Sequence, residues 1–321
     1  MFVLRGVAVS FSIFFIIYAL LSAMVCISWR SLASSIRNLS SRLRADLLFA
    51  ARIAPLVLAT GSTLVFVIPS FWLLEPRVIA EAIGIHLILL GFCGMAIVLT
   101  GILNAGTALR KVWRAVANWS MSGKVMARDP YELFRKVPIL RTSAPAPPLI
   151  TAGILRPQVW LSCAAASALT ESELLTALRH EVVHVRRYDN LKKLLLCAIT
   201  FPGMAGLEHE WREASEMAAD EAAVSSQSEA LDLAAAVIKL SGVTPLHPAA
   251  PLTTALVHSP AEPLSSRVER LIAWNGSRQD WRYGDHWLYG MCSASAAIVL
   301  LALTYAGLLV KVHAATEWLV R

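Results

Sequence analysis

The stretch "ALRHEVVHVRRYDN", residues 177–190, contains His180-Glu181-x-x-His184. Residues four apart share one face of a helix, so two imidazoles at this spacing can reach one ion. Glu181 then stands where metal-assisted hydrolysis needs a general base. The pattern is short. Two histidines on an ordinary helix face would be written with the same letters, so its meaning depends on what surrounds it.

Upstream, Thr170-Glu-Ser-Glu173 is a capping box, the signature of a helix start. From there the chain runs without Gly or Pro to about Thr200. Leu174, Leu175, Leu178, Val182, Val185 and Leu191 recur at helical spacing. The motif is therefore expected inside one long helix. Before it, residues 142–162 (TSAPAPPLITAGILRPQVWLS) give two short apolar runs, 149–152 and 158–162, around Gly153 and Pro157. This reads as a β-hairpin, and Pro157 points to an edge strand. The hairpin would either offer its edge to an extended substrate or simply cover the motif helix.

A catalytic zinc takes three protein ligands and keeps one position open. An extended His-Glu-x-x-His-x-x-Gly-x-x-His pattern is excluded, because Arg187 and Asn190 occupy the two further positions. The alternative is a carboxylate on a second helix. Residues 207–224 (LEHEWREASEMAADEAAV) are free of Gly and Pro, and their alanines would allow close helix packing. Glu216 could ligate, and Asp220, four residues on, could accept a hydrogen bond from a ligating histidine. Glu208, His209, Glu210 and Glu213 remain open as ligands on composition alone.

The rest of the chain is unlike a soluble enzyme. It is 56% hydrophobic and 16% charged, with a mean hydropathy of +0.58, against about 25% charged residues in an average globular protein. Residues 7–29, 53–74 and 287–310 carry no charge, and 82–109 carries only His86. Each exceeds the roughly 18–20 residues that cross a bilayer core. Four transmembrane helices are expected, the first retained rather than cleaved as a signal peptide. Residues 30–52 hold five arginines and 110–141 hold eight Lys/Arg. The positive-inside rule places both in the cytoplasm and both termini outside. The basic stretches fit anionic headgroups, and direct nucleic-acid binding is not expected. The five cysteines form no C-x-x-C pair, so neither a disulfide framework nor a zinc ribbon is expected.

Three stretches in order resemble the BlaR/MecR-type antirepressor family of membrane metallopeptidases: "PLITAGILRPQVWLS", "LTESELLTALRHEVVHVRRYDNLKKLLL" and "REASEMAADEAAV". The resemblance covers about residues 142–225, and the flanking spans agree with it. It implies a third zinc ligand at Glu216 and an acid supporting a histidine at Asp220. Ala219 stands where many relatives carry Cys. The penicillin-binding sensor domain of the best-known relatives lies beyond the last span. Here eleven residues follow that span, so antibiotic sensing by this polypeptide is not expected.

The expected architecture is a mainly α polytopic membrane protein with a cytoplasmic α+β gluzincin-like domain between the third and fourth spans. Residues 1–110 would hold three spans, 111–286 the zinc domain, and 287–321 the fourth span with a short outer tail. The expected activity is zinc endopeptidase, with one Zn2+ per chain on His180, His184 and Glu216 and Glu181 as general base. By the resemblance the substrate is the chain itself or a helix-turn-helix repressor. The lipid bilayer is a partner, a homodimer is allowed, and the location is the inner (cytoplasmic) membrane. Two rivals stand beside this: a quality-control or CAAX-type membrane protease, and a catalytically silent zinc-binding scaffold. His247, His258 and Tyr283 are open candidates for stabilising the oxyanion. Residues 191–207 would lie along the membrane interface or dock on the spans. Residues 243–265 read as a mobile loop, and "SRVERLIAWNGS" as a short amphipathic helix.

Overall fold

The computed structural model describes residues 2–36, 39–76, 84–121, 123–125, 137–143, 146–199, 201–243, 252–256, 264–276, 305 and 307–316. The chain divides into two compact units. One comprises Met1–Ser28, Ile53–Thr100 and Gln279–Arg321, the other Trp29–Arg52 and Gly101–Arg278.

The first unit is built from apolar helices. Helix α1 is Phe2–Ile36 and α2 is Ser41–Ser62, which passes through a π-helical turn, Thr63–Val67, into α3, Ile68–Leu74; α4 is Ile85–Met121. Among the described residues, three stretches are long and apolar enough to cross a membrane: Phe2–Trp29, Ser41–Leu74 and Ile85–Ser120. The expected fourth span lies largely outside the described residues; 305 and 307–316 are helical. Small residues set the packing of α1 on α4, as in lipid-embedded helix pairs. A Cβ at Gly94 would collide with the Phe11 carbonyl oxygen. Beside it, the Ser12 hydroxyl donates to the Leu87 carbonyl at 3.0 Å. Arg5 pairs with Glu75 at 3.3 Å.

The second unit is a five-stranded sheet with helices on both faces. Its strands are β1 Gly123–Val125, β2 Ile139–Thr142, β3 Leu149–Ala152, β4 Gln158–Ser162 and β5 Thr254–Ala255, in the order β1-β2-β4-β3-β5. The expected hairpin is β3–β4, antiparallel, pairing Ile150 with Trp160. Gly153 makes its turn possible: at φ +100° a Cβ would lie 2.7 Å from the Arg156 carbonyl oxygen. The expectation of an edge strand is corrected. Pro157 precedes β4, which is flanked by β2, while β3 is flanked by β5. Alternation sorts the two faces. Leu149, Val159 and Leu161 join the helical core. Ile150, Ala152 and Trp160 pack against Ala115, Val116 and Trp119 at the end of α4.

Five helices complete this unit around the core: α5 Cys163–Ala168, α6 Glu171–Arg186, α7 Asp189–Cys197, α8 Ala205–Ala223 and α9 Gln227–Gly242, followed by α10 Leu264–Ile272 against α9. Both bonds of the Thr170–Glu173 capping box form, at 3.4 and 2.8 Å. The single long helix expected over 170–200 is corrected. It ends at Arg186, and Tyr188 takes the left-handed conformation at φ 55°. The chain restarts as α7, a separate short helix. The loop expected over 243–265 is corrected where it is described: it contains β5, with Leu252 and Leu256 fully buried.

The start of α2 also belongs to this unit. Arg44 pairs with Glu210 of α8 at 3.2 Å. Buried Arg52 donates to the Ile199 carbonyl at 2.9 Å. Asp46 pairs with Lys192 of α7 at 3.2 Å.

Candidate metal centre

Helix α6 carries His180, Glu181 and His184 on its buried side, 0%, 0% and 2% exposed. Helix α8, packed on α6, brings Glu216 to them. The Nε2 atoms of His180 and His184 are 3.1 Å apart. Glu216 places Oε2 3.6 Å from the first and Oε1 3.7 Å from the second. The donor atoms of these three residues all lie within 4.8 Å of one another and could hold a metal ion. Glu208, His209, Glu210 and Glu213 are outside this cluster; Glu208 pairs instead with Arg212, and Glu210 with Arg44.

Both histidines are held from behind. Nδ1 of His180 lies 2.9 Å from Asp220 Oδ1, and Nδ1 of His184 lies 2.7 Å from Asp189 Oδ2. An Nδ1–H given to a carboxylate leaves the Nε2 lone pair facing inward. Two inward lone pairs 3.1 Å apart repel unless a cation lies between them. The Glu216 Oε2 atom is buried and makes no hydrogen bond among the described residues. This donor set fits a divalent metal, which would give all three inward atoms a partner.

The electrostatics agree. Burial works against the charged form of Glu216, yet His184, His180 and Arg267 bring its pKa down to about 2. Asp220 is lowered still further: burial opposes ionisation, but Arg267 and His180 outweigh it. Asp189 is at about 2, with His184 overcoming the cost of burial. His180 is raised to about 9, because its bonds to Asp220 and Glu216 overcome burial. Surroundings that draw a proton onto His180 draw a metal cation for the same reason. Glu181 differs from these carboxylates. Burial raises its pKa. Thr151 of β3 donates to its Oε2 at 2.6 Å, while its Oε1 has no hydrogen-bond partner among the described residues.

Four contributors were not singled out from sequence. Asp189 had a signal: an Asp-Asn pair inside an apparent helix, where such residues more often start one. Asn190 donates to the Thr151 and Gly153 carbonyls at 3.2 and 3.1 Å, tying α7 to β3. Thr151 is one hydroxyl in an apolar strand and gave no signal. Arg267 lies on the apolar side of α10, four residues before Leu271, which is a mild anomaly. His247, His258 and Tyr283 lie outside the described residues.

A model of the family described as BlaR1 peptidase M56 matches residues 77–271, more than half of the chain. The chain belongs to the BlaR1 peptidase M56 family. The matched region contains α6, α8 and all but the last residue of α10, and so every residue of the cluster in this M56 family member. No curated protein sequence matches the chain.

Proposed function

We propose that this member of the M56 peptidase family is a membrane-bound zinc endopeptidase working on the cytoplasmic side. The observation that carries this is the buried His180–His184–Glu216 triangle with Glu181 beside it. When bound, zinc supplies a Lewis acid for the scissile carbonyl and makes water a nucleophile near neutral pH. Glu181 takes the proton of the attacking water on its carboxylate and delivers it to the leaving amine nitrogen. Asp220 and Asp189 fix the histidine tautomers, and Thr151 aims the Glu181 carboxylate. A silent scaffold would need no buried base whose pKa is raised, which favours the enzyme over that reading.

The topology rests on charge and packing together. Both basic segments, 30–52 and 110–141, contribute to the unit that holds the metal centre. Their shared unit supports one common side of the membrane, and their charge selects the cytoplasm. The remaining proposals are the inner-membrane location, both termini outside, and cleavage of the chain itself or of a transcriptional repressor. Residues 254 and 255 pair with β3 beside Thr151, so a segment of the chain itself lies next to the general base. That supports self-cleavage as one outcome.

Two experiments test this. Purified full-length chain in detergent micelles should cleave labelled casein, and Glu181→Gln should not. A wild type that holds zinc but cuts neither casein nor itself would count against the enzyme. For topology, Cys163 is exposed on α5. With the other cysteines replaced, a membrane-impermeant maleimide should label it only after spheroplasts are permeabilised. Labelling in intact spheroplasts would reverse the orientation.

A further inference from the structure

Arg267 makes an unusual set of contacts for a side chain only 4% exposed. Its Nε and Nη2 grip Asp220 in bidentate fashion, at 2.9 and 2.5 Å. Its Nη1 lies 3.7 Å from Glu216 Oε2, and its Nη2 is 3.4 Å from both ring nitrogens of His180. Arg270 also reaches Asp220, at 3.1 Å. Holding Asp220 explains the Nε and Nη2 bonds. It leaves Nη1, which donates instead to a backbone carbonyl, that of Leu256, at 2.5 Å.

The position of that carbonyl is informative. Leu256 directly follows β5, which pairs antiparallel with β3, Ala255 opposite Ile150 and Thr254 opposite Thr151. Thr151 is the residue whose hydroxyl holds Glu181. On the same short segment, the Thr253 carbonyl accepts from Lys193 at 2.9 Å. An extended chain on β3 thus runs past the general base with its carbonyls received by two cations. Peptides bound to a sheet edge take their affinity from such main-chain hydrogen bonds. A buried guanidinium aimed at a carbonyl also stabilises oxygen on which negative charge develops.

We infer that Arg267 is a substrate-contacting residue, donating to a backbone carbonyl of a peptide that displaces residues 253–256 from β3 and takes the place the Leu256 carbonyl holds here. It also passes that contact to the metal centre through Asp220 and His180. This inference rests on the peptidase reading above.

The test uses the full-length, zinc-loaded chain in micelles, as wild type, Arg267→Gln and Arg267→Lys. Acetohydroxamate probes the metal alone. A tripeptide hydroxamate adds backbone carbonyls that lie along β3. In Arg267→Gln the affinity for the tripeptide hydroxamate falls about 10- to 100-fold, the loss of a charged hydrogen bond. Its kcat/KM for labelled casein falls in parallel. Arg267 also steadies Asp220, so zinc is supplied in excess; under that condition acetohydroxamate affinity falls by no more than about threefold, well short of the loss for the tripeptide hydroxamate. Arg267→Lys retains part of the difference, and it decides the matter if the glutamine variant does not fold. If both hydroxamates weaken together, Arg267 only supports the metal ligands and the inference fails. It also fails if neither weakens. A wild type that binds neither hydroxamate sinks the peptidase reading itself, and the inference with it.

Discussion

Nδ1 of His184 lies 2.7 Å from Oδ2 of Asp189, across the single turn at which the motif helix ends. Tyr188 in the left-handed conformation breaks α6 so that the first residue of α7 can turn back to the histidine five positions before it. The Ser215 hydroxyl donates to the same oxygen at 2.9 Å, linking α8 to the pair. A non-glycine residue at positive φ costs about 1 kcal/mol or more, and here the histidine is held in return. Asp189→Ala is expected to weaken zinc binding about 10- to 100-fold, and Asp189→Asn less, because an amide oxygen still accepts the bond. Zinc titration against a competing chelator measures this. Unchanged affinity in the alanine variant would leave Asp189 without a role at the site.

Thr151 touches the proposed base and not the proposed metal ligands. Its hydroxyl donates to Glu181 Oε2 and touches none of the three ligands. Thr151→Val keeps the shape of the side chain and removes the donor. That hydrogen bond lowers the Glu181 pKa against the rise caused by burial, so its loss pushes the pKa further up. The expected result is a kcat about tenfold lower, an activity profile whose acid limb moves to higher pH, and unchanged zinc content. A loss of zinc would show that Thr151 acts on the ligands instead.

Glu173 gives a pH-dependent contribution to stability away from the site. Burial raises its pKa, but bonds from Lys239 and Thr170 outweigh this and leave it below the ordinary 4.5. A folded pKa below the unfolded one means stability that is present above about 4.5 and lost as pH falls through the folded value. Glu173→Gln should lower the stability of the full-length chain by about 1 kcal/mol at neutral pH, the scale of a helix cap. Thermal unfolding in detergent should show the gap to wild type closing as pH drops below about 4.5. A gap that stays constant with pH would mean that the charge contributes nothing.

In the first unit, Gly94 meets the Phe11 carbonyl so closely that even a methyl group has no room. Gly94→Ala should cost about 1–3 kcal/mol through overpacking and lower the thermal midpoint in micelles. Gly61→Ala serves as control, because a Cβ there meets nothing within 4 Å. Equal midpoints for the two variants would contradict the packing of α1 on α4.

The local features were the legible ones. The capping box at Thr170, the β3–β4 turn at Gly153 and the apolar helices are written in neighbouring residues, so composition and periodicity find them. Bringing Glu216 to the histidines needed more than spacing. Its helix offers several carboxylates, and the resemblance pointed to the one that the packing of α8 on α6 brings in. What stayed hidden was long-range. Thr151 reaches Glu181 across 30 residues and Arg267 reaches Asp220 across 47. Short patterns carry no trace of such pairs. The break at Tyr188 was missed because the apolar periodicity continues through it, although Asp189 and Asn190 mark it.

The most direct test of the central claim is the metal content of the purified chain, counted per polypeptide by elemental analysis after dialysis against a weak chelator. Wild type and Glu181→Gln should each retain one zinc, and Glu216→Ala should lose it, because two histidines alone leave the site a ligand short. Wild type emerging without zinc, or Glu216→Ala retaining it as firmly as wild type, would contradict the site on which the account is built.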